Sequence, residues 1–275
     1  MAKVSNEARK KYFEKLKSYK ATIDMIQKRE TNLSQVVTQE GTGVAYKRIA
    51  LAEENLNLVS YYILMNSFSL ALLGVKNEAF LNDARKGCYK TLIQLEEVLS
   101  NFIDVPYSEY EGRLEEISAF SDDSRFALLR KLGYSIQAVI EGFGDNTKWK
   151  WSFVELEGRY ATVAKNFLNL KTFMAGMDPR VEGYQTRMAH LRLVKELLQK
   201  AADGYRQKYE LSTRRIDDFK LALSYLSALR RIHSLLAEPE EAESLKKKIE
   251  IWKSKMESDS KKSEQMEKQK SRSGA

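Results

Sequence analysis

The chain has 275 residues, 43% of them hydrophobic and 31% charged, with a formal net charge of +8. That is enough apolar material for one large core or two modest ones, and it excludes a disordered protein. A single cysteine, Cys88, excludes an internal disulfide and fits a reducing compartment, so a cytoplasmic location is expected.

The first 20 residues carry seven Lys or Arg against Glu7 and Glu14, a net +5, while residues 240–275 carry a net +2. No apolar stretch and small-residue cleavage site follow the basic opening, so it is not expected to act as a signal peptide. Val4, Ala8, Tyr12, Leu16, Tyr19, Ile23 and Ile26 recur at three- and four-residue spacing, which predicts a helix over about 5–39 with one narrow apolar stripe. Gly41-Thr42-Gly43 breaks it, and a second helix is expected over 44–73, closed by Gly74.

Within that second helix, residues 55–75 (NLNLVSYYILMNSFSLALLGV) run without a charge, long enough to span a bilayer. Asn55, Asn57, Ser60, Asn66, Ser67 and Ser69 dilute the stretch, which favours a helix buried among neighbours over a spanning segment. Leu64 is then expected inside the core, where a lysine would abolish soluble expression.

Further helices are expected over about 77–102, 107–120, 124–141, 148–175, 178–210, 213–237 and from 239 onward. Pro106, Pro179 and Pro239 each stand where a helix could begin, and Ser121-Asp122-Asp123 supplies capping oxygens. Gly142, Gly144, Asp145 and Asn146 form the clearest central turn and the expected subdomain boundary. No segment alternates as strands do. The fold class is therefore all-α: an elongated multi-helix bundle of long amphipathic helices around a buried second helix. Its expected parts are a basic amphipathic helix at 1–40, bundle halves at 44–141 and 146–256, and a disordered polar tail at 257–275.

Signatures of chemistry are missing from the sequence. His190 and His233 are preceded three positions earlier by Arg187 and Arg230, so the Glu-x-x-His pairing of di-metal bundles is absent. Cys88 has no cysteine partner for zinc and no base nearby in sequence, and it reads as a small buried apolar residue. Asp122-Asp123 and Asp217-Asp218 lack a further carboxylate one turn on, since Phe126 and Leu221 stand there, and they fit helix starts. Neither a catalytic residue, nor a metal, nor a cofactor is expected, and no small ligand is indicated.

Three features suit recognition. Lys148-Trp149-Lys150-Trp151 alternates cation and indole at a helix start, so the two rings cannot face one core together. Arg214-Arg215 and Arg230-Arg231 bracket a mostly apolar helix. The basic first helix, with Lys10 and Lys11, suits docking to another helix or an anionic membrane, and is expected to be separable from a folded remainder. Trp149, Trp151, Lys10, Lys11, Arg214 and Arg215 are the candidate partner contacts. The expected role is a non-catalytic interaction, scaffold or adaptor protein that binds another protein or itself. Association with a membrane, through residues 55–75 or the first helix, is the alternative, and nucleic acid is not favoured because the basic excess sits at the ends rather than along one surface.

Overall fold

A computed structural model describes residues 5–38, 43–145 and 147–273, with side chains as far as residue 261. Among these, the protein is all-α, with ten α-helices and no strand. The helices are α1 (Asn6–Val37), α2 (Val44–Leu73), α3 (Glu78–Val98), α4 (Glu111–Glu116), α5 (Asp122–Phe143), α6 (Lys150–Phe167), α7 (Leu170–Ala175), α8 (Tyr184–Lys208), α9 (Ile216–Leu235) and α10 (Pro239–Ser273). Val4, Gly41, Thr42 and Asn146, used in the sequence reading, lie outside the described residues.

Local chemistry sets many of the boundaries. Ser5 caps α1 by accepting from the Ala8 N–H at 3.1 Å, and Asn77 and Ser121 cap α3 and α5 in the same way. Gly74 closes α2 at a φ of +66°, a conformation that disfavours residues with a Cβ.

Met1–Asn101 with Tyr107–His190 form one compact unit, and Phe102–Pro106 with Leu191–Ala275 a second, so the division falls within α8. Gly142–Asp145 lie inside the first unit, where Phe143 packs against Phe153.

In the first unit α2 packs against α1, α3 and α5. Ile23 and Ile26 of α1 meet Leu58 and Met65 of α2 in one buried cluster. Through these residues α1 contributes to the core of the first unit. On the next side, α2 and α3 approach closely at Gly87, where an added Cβ would lie 2.5 Å from a methyl of Val59. Leu56 and Val59 there are wholly buried, as are Cys88 and Leu92 across the seam.

The second unit is held by aromatic stacking. Tyr205 lies against Tyr225 with centroids 5.6 Å apart, Tyr209 against Phe219 at 4.9 Å, and Trp252 of α10 adds to Phe219 at 6.0 Å. Arg231 ties the 102–106 segment to α9 through Asp104 at 2.7 Å.

Four expectations need correction. Leu64 is 38% exposed, because no helix covers that part of the α2 surface among the described residues. The 148–175 helix is two helices: Leu168 and Asn169 are extended, and Asn169 Oδ1 accepts from the Lys171 and Thr172 N–H groups to begin α7. Asp178-Pro179 does not open a helix. Asp178 instead accepts from the Arg180 N–H at 2.9 Å, and α8 begins at Tyr184. Finally, α10 runs on through the polar tail as far as Ser273, in a segment whose Lys, Glu, Gln and Met have high helix propensity.

Candidate functional site

Two helical stripes face each other where α2 meets α5. Ser60, Ile63, Leu64 and Ser67 stand on α2, and Lys131, Tyr134, Ser135 and Ala138 on α5. Both sets follow the spacing i, i+3, i+4, i+7, which places four residues on one helical face. Together they line a surface groove of about 340 Å³.

The groove is more apolar than its composition suggests. Ser60 donates its hydroxyl to the Leu56 carbonyl at 2.9 Å, Ser67 to Ile63 at 3.0 Å, and Ser135 to Lys131 at 2.9 Å. Each hydroxyl hydrogen is thus used within its own helix, four residues back. Beside the hydrocarbon of Ile63, Leu64 and Ala138, the serines therefore leave the groove acceptor lone pairs but no free hydroxyl hydrogen.

Cations mark the α5 wall. Lys131 donates to Asn57 Oδ1 at 3.0 Å, bridging the two helices. Arg130 donates to the Tyr134 hydroxyl at 3.1 Å, and its guanidinium lies 5.6 Å from that ring's centroid. Tyr134 is nevertheless 65% exposed, a large aromatic surface beside an apolar furrow.

The residues singled out from sequence lie elsewhere. Trp149, just before α6, is half-buried beneath Arg85 of α3, whose guanidinium carbon is 3.8 Å from the ring centroid. Trp151 is also half-buried, with Lys150 Nζ at 5.0 Å from its ring. Lys10 and Lys11 are exposed on α1. Arg214 and Arg215 are exposed in the second unit, where Arg214 has a φ of +52° after a π-helical turn at Tyr209–Thr213. Trp149, Trp151, Lys10 and Lys11 belong to the first unit, and none of them lines the groove. The groove residues were missed because the uncharged α2 was read as covered on every side; the paired four-residue stripes in α2 and α5 were the available signal.

The reactive groups are engaged in structure. Cys88 is buried in the α2–α3 seam, and burial pushes its thiol up to about 12. His190 stacks on Phe126 and places Nε2 2.8 Å from the Ala164 carbonyl; burial lowers its pKa to about 4, so the ring is neutral and Nε2–H donates. His233 faces the Glu238 carboxylate at 2.5 Å. Arg187 donates to the carbonyls of Gly176 at 3.2 Å and Glu182 at 2.9 Å, fastening the loop before α8. Asp122 and Asp123 lie in the first turn of α5, and Asp217 and Asp218 in that of α9. Among the described residues, no group of three or more His, Cys, Asp or Glu is placed to hold a metal ion.

Residues 8–260 match the TP0443 family, and the chain belongs to it. No curated protein and no solved structure matches the chain.

Proposed function

We propose that this member of the TP0443 family is a non-catalytic helical interaction protein of the cytoplasm, and that the α2–α5 groove receives an amphipathic helix of a partner protein. The observation that carries this reading is the apolar furrow itself, in which three serines spend their hydroxyls on their own helices while Leu64 and Tyr134 remain exposed. A helix docking there would present an apolar i, i+3, i+4, i+7 stripe, and an acidic residue beside it would meet Arg130 or Lys131.

Insertion of residues 55–75 into lipid is the less supported alternative. Although α2 is long and apolar enough to cross a membrane, it buries Asn55, Asn66 and Ser69 within the protein. Its flanking helices bring ion pairs, Arg29 of α1 to Glu54 of α2 at 2.9 Å and Lys90 of α3 to Glu30 of α1 at 2.7 Å. Hydrocarbon around such a cluster would leave charges without water.

The test is a comparison of the proteins retained by wild type and by a Leu64→Lys, Tyr134→Ser variant. A discrete retained partner that the variant loses, with an unchanged unfolding transition, supports the groove. Identical retained sets from the two proteins would contradict it.

A further inference from the structure

A second exposed surface lies on α1, and its chemistry differs from that of the groove. One side of α1 is packed through Tyr12, Ile23 and Ile26, yet the neighbouring Phe13 is 62% exposed. At 3.6 residues per turn, Arg9, Lys10, Lys17 and Lys20 fall on the same face as Phe13, two on each side of its ring. All four are exposed, and among the described residues none of them forms an ion pair. Glu7 and Glu14 stand roughly 100° or more around the helix from Phe13, and Asp24 closes the stripe one turn beyond Lys20.

We infer that this face of α1 docks the protein on an anionic lipid surface, with the Phe13 ring entering the boundary between headgroups and acyl chains and the four cations meeting phosphates around it. An exposed aromatic ring encircled by unpaired cations suits a bilayer, which offers acyl chains beneath the ring and phosphates on all sides. A nucleic-acid strand presents its phosphates along one track and would leave half of the cations unmet. The inference does not rest on the groove, since none of these residues lines it.

The experiment is flotation of the full chain with vesicles of phosphatidylcholine, with and without phosphatidylglycerol. Binding is expected only with the anionic lipid, and it should weaken as salt is raised. Lys17→Gln with Lys20→Gln should lower partitioning by roughly 30-fold, about fivefold for each cation removed. The emission of a Phe13→Trp variant, measured against the same protein without vesicles, should shift to the blue on anionic vesicles. Because positions 13, 17 and 20 are exposed, the variants should unfold as the wild type does, and that transition is measured alongside. Equal binding to neutral vesicles, binding unaffected by the paired lysine variant, or tighter binding to duplex DNA with no change in tryptophan emission would each overturn the inference.

Discussion

The side of α2 that faces α3 and the side that faces α5 are built from one uncharged sequence and end in different states. Towards α3 the seam is closed: Gly87 lets the helices approach until Val59 fills the gap, and Leu56 is wholly buried. Towards α5 the seam stays open, because Lys131 and Tyr134 occupy the positions that would have to be small or apolar for the helices to close. Burial of a helix is thus decided by what the neighbouring helix brings, and an uncharged run does not fix it.

Substitutions on the two sides should separate accordingly. Leu56→Ala removes a fully buried side chain and should cost about 4 kcal/mol in denaturant unfolding; a loss below about 1 kcal/mol would mean that the closed seam yields easily. His190 probes the closed interior through pH. Burial holds its folded pKa near 4, below the ordinary 6.5, so the fold favours the neutral ring. Its contribution is complete above about pH 6.5 and is lost as pH falls towards 4, a change of order 3 kcal/mol. A His190→Gln variant, which keeps a donor for the Ala164 carbonyl, should show a flatter stability profile across that window; an unaltered profile would place the titration elsewhere.

Smaller effects should follow on the way out of the core. Gly87→Ala presses a methyl against Val59, and overpacking should exceed the gain in helix propensity, for a net loss of about 1 kcal/mol by thermal unfolding. A stabilised variant would show that Val59 has room to move. Leu64→Lys should change stability by no more than about 0.5 kcal/mol while the protein stays soluble. Unfolding of that variant would close the groove and return α2 to the buried reading.

Much of the architecture could be read from spacing and punctuation. The bounds of α2, the Gly74 stop, the Ser121 cap and the Pro239 start are all local events, set by residues within a turn of one another. The break between α6 and α7 was overlooked although its signal is local, since Asn169 is a capping residue that accepts from the Lys171 and Thr172 N–H groups within a mostly apolar run. Arg187 was not legible, since its targets are the carbonyls of Gly176 and Glu182, groups that every residue possesses. The groove failed for a related reason. Each of its stripes is visible alone, but that Leu64 faces Tyr134 across open space depends on how two helices 70 residues apart meet. The surroundings of Trp149 were likewise not legible, since Arg85, which lies over its half-buried ring, is remote in sequence.

The central claim is that the α2–α5 groove is occupied by a partner helix, and its most direct test is photo-crosslinking in the native cell. A photoreactive residue would be placed at position 64, and as a control at Ile93, an exposed apolar position of α3 outside the groove. The account predicts a discrete adduct from position 64, mapping to an amphipathic helical segment and absent from position 93. No adduct from position 64, or the same adducts from both positions, would contradict it.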